Sequence, residues 1–190
     1  SSRRSTTRRG CGSAADLGGP HGRLASVTTT PGTTSPGTWT IEPGSPITLQ
    51  THDFPTSLEV SAPVTGGGLH VAKSSVRLRI EMSLEKLKAS NFLMQGAARA
   101  LVKRFDGDLL VFEAEGEAAN HPWKVAGNAR AGQVDVPMSV EATPEPGDDP
   151  SRLLLGGSVT MNDISIPIPG LSGISSITFS LDGTVSLRSA

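Results

Sequence analysis

His52 and Asp53 stand side by side in a serine-rich chain, and Ser, His and Asp are the side chains of a nucleophilic hydrolase. In that chemistry an Asp orients the His, which takes the proton from the attacking Ser hydroxyl. Adjacent residues on a strand project to opposite faces, so Asp53 is badly placed to orient His52. No Gly-x-Ser-x-Gly elbow is present to hold a Ser in an exposed, strained turn. The pair therefore reads as solvated at a strand end, and hydrolysis at His52 is the weakest function weighed. Ser83-Leu84-Glu85-Lys86 fits Ser-x-x-Lys but lacks the companion motifs of that chemistry. His21, His52, His70 and His121 never fall at metal-ligand spacings such as His-x-x-x-His, so no metal is expected. Gly66-Gly67-Gly68 lies in no strand-to-helix nucleotide pattern and is expected to be a tight turn. Cys11 stands alone, which excludes an internal disulfide framework. The expectation is a non-enzymatic protein with no catalytic residue and no cofactor.

What the chain does supply is alternation. From Ser75 to Leu84 the apolar Val76, Leu78, Ile80, Met82 and Leu84 interleave with Arg77, Arg79, Glu81 and Ser83. A strand built this way has one apolar wall and one solvated wall, and at ~3.3 Å per residue it runs about 33 Å. Shorter strands are expected at Trp39-Thr40-Ile41, Ile47–Gln50, Leu58–Ser61 and Leu69–Val71. Downstream, Leu110, Phe112 and Ala114 share a face; so do Trp123, Val125, Gly127, Ala129 and Ala131. Val134, Val136, Met138 and Val140 line another, with Pro137 marking a bulge or an edge. Leu153, Leu155, Val159 and Met161 form the next, and Ile177, Phe179, Leu181, Gly183, Val185 and Leu187 the last. Between the long strand and Phe105, the residues Leu84, Leu87, Asn91, Met94, Ala98, Leu101 and Phe105 recur at steps of three and four. That is a helix stripe, with Ser90 as its N-cap and a short amphipathic helix expected at 91–103. About eight strands and one helix make the fold mainly β, an antiparallel barrel or sandwich.

Composition limits the function. The chain has 190 residues, 36% of them hydrophobic, with 22 Gly and 14 Pro, which suits one turn-rich domain with a real core. Residues 1–38 carry five Arg against one Asp, whereas the rest carries 12 Lys and Arg against 17 Asp and Glu. A folded part of that sign, with no Tyr, has no footprint for nucleic acid. No apolar run approaches the ~18 residues of a membrane-spanning helix. Residues 1–38 are expected to be a disordered Ser/Thr/Arg/Gly/Pro-rich tail and residues 39–190 the domain. Arg3-Arg4, Arg8-Arg9 and Arg-Gly-Cys-Gly around Cys11 invite export or lipoprotein readings, but the apolar segment of ~7–15 residues those signals need is missing from this stretch.

Residues 39–188 resemble the YceI-like family, lipocalin-like barrels associated with polyisoprenoids and other long amphiphiles. Trp39-Thr40-Ile41-Glu42-Pro43 carries the resemblance, with Ser83-Leu84 through Lys88-Ala89-Ser90-Asn91-Phe92-Leu93-Met94, Trp123–Gly127, Val136-Pro137-Met138 and Leu155–Pro167. Glu42 stands where the family usually has Asp, Gly44-Ser45 replaces a His-Ser pair, and Gly132–Pro137 departs from the family's turn. The resemblance implies a lipocalin-like antiparallel β-barrel that binds, sequesters or transports an isoprenoid or fatty-acyl chain. It also implies a bacterial, periplasmic or secreted protein. The cavity would then be walled by Val76, Leu78, Ile80, Met82, Phe112, Trp123, Val125, Met138, Val140, Leu155, Met161, Phe179 and Leu181, with Asn91 and Met94 of the helix across its mouth. The residues alone leave a second outcome open, in which Phe112, Trp123, Met138 and Phe179 fill the barrel as ordinary core. The protein is then a structural or protein-interaction β-domain without ligand. Oligomeric state is left open.

Overall fold

The computed structural model describes residues 34–51, 58–90, 95–96, 99, 102–103, 107–162 and 176–190. Among these residues ten strands are present: β1 (Gly37–Ile41), β2 (Pro46–Thr51), β3 (Leu58–Val71), β4 (Ser75–Ser83), β5 (Lys88–Ala89), β6 (Leu109–Glu117), β7 (Trp123–Ala131), β8 (Val134–Pro144), β9 (Arg152–Asn162) and β10 (Ser176–Ser189). Eight of them close a ring of antiparallel neighbours in the order β10-β2-β3-β4-β6-β7-β8-β9, and β9 returns to β10. β1 also lies between β10 and β3, pairing Trp39 with Ser189 and Leu69. β2 takes the same place further along, pairing Ile47 with Gly183 and Ala62. The Pro43-Gly44 region thus breaks one barrel position into two strands.

The alternation expected of the long strand is realised in β4: Val76, Leu78, Ile80 and Met82 are buried, while Arg77 and Arg79 are exposed. The same inside–outside rhythm holds along β10, where Ile177, Phe179, Leu181, Val185 and Leu187 are buried. Charged and hydroxyl side chains cover the outside, the reverse of a membrane barrel, whose apolar band faces outward. Among the described residues no helix is long and apolar enough to cross a membrane.

The structure differs from expectation at several points. β1 begins at Gly37, and Thr34 is already buried, so folded structure starts before Trp39. Gly66-Gly67-Gly68 is not a turn. It lies inside the 14-residue β3, where the pairing with β4 slips between Val64 and Gly66 in a β-bulge. Leu84 and Leu87 are not helical: the chain turns through 84–87 and rejoins β3 as β5, pairing Ser61 with Lys88. The Ser90 hydroxyl accepts the Glu59 amide at 3.4 Å, and the residues 91–94 that it is expected to cap lie outside the described residues. Gln95, Gly96, Arg99, Val102 and Lys103 are helical, and the stripe residues Asn91, Met94, Ala98, Leu101 and Phe105 lie outside the described residues.

Gly67 adopts φ +146°, and a Cβ there would sit 2.1 Å from the Arg79 carbonyl oxygen. Only glycine fits a left-handed residue pressed against the neighbouring backbone. Gly67→Ala should therefore cost about 2–4 kcal/mol, read as a lowered urea midpoint with an unchanged slope. An unaltered midpoint would show that the bulge relaxes freely.

Candidate functional site

The barrel interior divides along its axis. At the end where β3 meets β4 and β6 meets β7, large side chains fill the bore. Trp39, Leu69, Val71, Val76, Trp123, Val125, Leu153 and Val185 are all buried there. The Trp39 indole N–H donates to Asp149 Oδ1 at 2.8 Å, tying β1 to the β8–β9 turn. His121 sits edge-on to Trp123 with ring centroids 4.7 Å apart, and its Nε2 lies 3.3 Å from Thr34 Oγ1. Burial there holds the His121 pKa below its ordinary value. This end is a plug.

Toward the other end the packing opens into a cavity of about 110 Å³. Met82, Leu84 and Leu87 line it from the end of β4 and the turn beyond, and Leu110 from β6. Ala129 and Ala131 line it from β7, and Val134, Val136 and Met138 from β8. Val159 and Leu181 from β9 and β10, Ile47 and Leu49 from β2, and Val60 and Ala62 from β3 complete the wall. Every lining side chain is apolar. Alanine at three inward positions, 62, 129 and 131, is what leaves the space: larger residues there would close it.

The same region is where the barrel seam parts. β8 pairs with β9 from Ser139↔Ser158 to Pro144↔Leu153. Beyond Ser139, among the described residues, Val134–Met138 pairs with β7 alone and residues 159–162 with β10 alone. Pro137, which has no amide hydrogen to give a ladder and is expected at a bulge or an edge, lies just past the last β8–β9 pair of the described residues. Val136 and Met138 form one lip of the opening and Val159 the other. Behind them Leu58, Val159, Ile177 and Phe179 make a second buried cluster, against which Leu49, Val60, Val136 and Met138 pack.

Three of the residues expected on the cavity wall, Met82, Met138 and Leu181, line it. Val76, Leu78, Ile80, Phe112, Trp123, Val125, Val140 and Leu155 do not: they are packed within the main core cluster. Phe179 belongs to the second cluster beside the cavity. Asn91, Met94 and the side chain of Met161 lie outside the described residues, as do His52 and Asp53. The wall residues that sequence reasoning missed are Ile47, Leu49, Val60, Ala62, Leu84, Leu87, Leu110, Ala129, Ala131, Val134, Val136 and Val159. Most sit on the apolar faces the alternation identified, but alternation carries no information about height along the bore.

A larger groove on the outer face runs over Arg77, Arg79, Arg130, Glu113 and Glu115. Its cations are matched. Arg77 meets Glu115 at 2.8 Å, Arg130 meets Asp135 at 3.0 Å, and Arg79 meets both Glu81 and Glu113. Chiefly through its hydrogen bond to Glu81, the Arg79 pKa is held above its ordinary value. This face reads as a solvated network of surface ion pairs with no unpaired charge to offer a ligand. Among the described residues no cluster of His, Cys, Asp and Glu has the arrangement of a metal site.

The chain matches no family model, and no curated protein matches it. A crystal structure of BcnA from Burkholderia cenocepacia is similar, at 10% identity and a TM-score of 0.45, covering 77% of this chain and 95% of that one. A likeness at that level leaves the functional reading to the barrel's own geometry.

Proposed function

We propose that the barrel is a non-enzymatic carrier that binds one long apolar chain, an isoprenoid or a fatty acyl group, end-on in its cavity. The observation that carries this is a cavity without a polar side chain on its wall, located where the β8–β9 seam parts. Such a site rewards removal of hydrocarbon from water and makes no hydrogen-bond demand, so selection would be by chain shape and by what lies at the mouth. The resemblance of residues 39–188 to the YceI-like lipid binders points the same way.

Size sharpens the proposal. A dry apolar cavity of ~150 Å³ takes up benzene, so 110 Å³ corresponds to about four carbons. At ~0.8 kcal/mol per buried methylene that is about 3 kcal/mol gross, too little for useful affinity once ordering costs are met. Binding therefore requires the cavity to widen. Met82 and Met138 are the residues suited to this, because an unbranched thioether repacks among rotamers at small cost. The parted seam supplies the direction in which the wall can yield. The small resting volume also favours a second reading, a structural β-domain with an interior filled well enough to need no ligand.

Native mass spectrometry of gently purified protein separates the two. A carrier should show a second population heavier by the mass of one lipid, which organic extraction removes and added fatty acid restores. A single species at the chain mass, unchanged by incubation with lipid, would favour the filled barrel.

A further inference from the structure

The turn at 84–87 joins the cavity to a second, differently charged space. Pairing of β3 with β4 ends at Val64↔Met82 and resumes with β5 at Ser61↔Lys88, so Ala62 and Pro63 pair with neither. Leu84 and Leu87 cover this interruption from inside, as part of the cavity wall. Outside it lies a groove of about 630 Å³ lined by Lys86, Lys88, Arg99 and Glu85, and Leu87 is a wall of both spaces. The groove is held in shape by Gln95. Its side-chain amide donates to the Leu87 carbonyl at 2.9 Å, and its carbonyl accepts the Ala89 N–H at 2.7 Å. Arg99, four residues on and also helical, lines the same groove as Gln95.

The charge balance here is unlike that of the outer groove. Lys86, Lys88 and Arg99 are exposed, and among the described residues none of them forms an ion pair. Among the described lining residues, Glu85 is the single carboxylate facing three cations. An apolar cavity beside an unneutralised cationic groove, with one leucine between them, is the layout of a site for an amphiphile whose head is an anion. We propose that the ligand carries an anionic head group, carboxylate or phosphate, which Lys86, Lys88 and Arg99 hold while its chain passes Leu87 into the cavity. This rests on the cavity being the lipid site. It adds the chemistry of the head, the point of entry and the residues that read it. Guanidinium and ammonium groups give charge-assisted hydrogen bonds to carboxylate and phosphate oxygens, whereas a neutral ester or alcohol gains little from them.

The test compares cis-parinaric acid with its methyl ester, two fluorescent probes of one chain that differ in head charge. The wild-type protein should bind the acid about tenfold more tightly than the ester, the size expected of exposed charge-assisted contacts. Added salt should erode that preference. The combined Lys86→Ala, Lys88→Ala, Arg99→Ala variant should bind acid and ester alike, with ester affinity unchanged. A control removing Lys73, Lys124 and Arg152, at the plugged end, should keep the preference. Equal affinities in the wild type, or a preference surviving in the triple variant, would overturn the head-group proposal and leave the cavity reading standing. Binding of neither probe would overturn the cavity reading itself. Inorganic phosphate is the remaining arm. If it occupies the groove as tightly as the acid does, the site serves a free anion and the amphiphile is the wrong ligand.

Discussion

Ala129→Leu should abolish lipid uptake while making the ligand-free barrel more stable. Ala129 points inward on β7, lies opposite Phe112 on one side and Val136 on the other, and forms part of the cavity wall. Leucine adds three carbons at a level where the space corresponds to only about four. Filling an apolar void restores dispersion contacts and typically adds about 0.5–2 kcal/mol. The same atoms occupy the volume a ligand chain would use, so affinity for a fluorescent fatty acid should drop at least tenfold, the size of ~1.4 kcal/mol. The opposite signs make the experiment informative. Stability by urea denaturation and binding by fluorescence should move apart, which a general perturbation of the fold cannot produce. A variant that is stabilised and still binds with full affinity would place the ligand elsewhere.

Ile80→Asp should have the largest effect on folding. Ile80 is 1% exposed in the core cluster and pairs with Gly67 and Phe112 across β3 and β6. Aspartate there loses the buried hydrocarbon, worth about 2–5 kcal/mol for an Ile-to-small change. It also carries a carboxyl into a site with no partner, which must protonate or bring in water. Against a typical domain stability of 5–15 kcal/mol, the variant should be largely unfolded or molten at neutral pH. Glu81→Lys, one residue along on the outer wall, gives the contrast. It breaks the hydrogen bonds that Arg79 donates to Glu81 at 3.0 and 2.9 Å and sets two cations side by side. On an exposed wall that costs about 1 kcal/mol or less. Comparable losses from the two substitutions in chemical denaturation would mean that the inward register of β4 is misassigned.

Much of the barrel was legible because its physics is local. The side chains of a strand with one wet face must alternate, and Val76 to Met82 do so without interruption. Pro137 pointed to a bulge or an edge for the equally local reason that it has no N–H. The Gly66–Gly68 run misled because three glycines lower the cost of a turn and of a bulge alike. Its resolution depends on Arg79 of the neighbouring strand, whose carbonyl oxygen occupies the space a Cβ would need. Leu84 and Leu87 kept helical spacing for a different cause: a turn across an interrupted wall also points every third residue inward. The site was the least legible part. Ile80 and Met82 belong to one face of one strand, yet only Met82 reaches the cavity. The difference is height in the bore, which follows from the pairing register of all eight strands and from no single segment.

The parting of β8 from β9 has a mechanical meaning. In a fully zipped barrel, strand number and stagger fix the radius, and the wall behaves as a continuous hoop. Among the described residues the hoop is intact around the tryptophans and parts near Met138. One sheet is therefore a rigid socket at one end and a split collar at the other, able to spread there without losing a β8–β9 pair among the described residues. How far it spreads is governed by where the cut begins. Residues that lengthened the β8–β9 ladder by one or two pairs would tighten the collar and turn the protein into a solid barrel, with every cavity side chain left as it is.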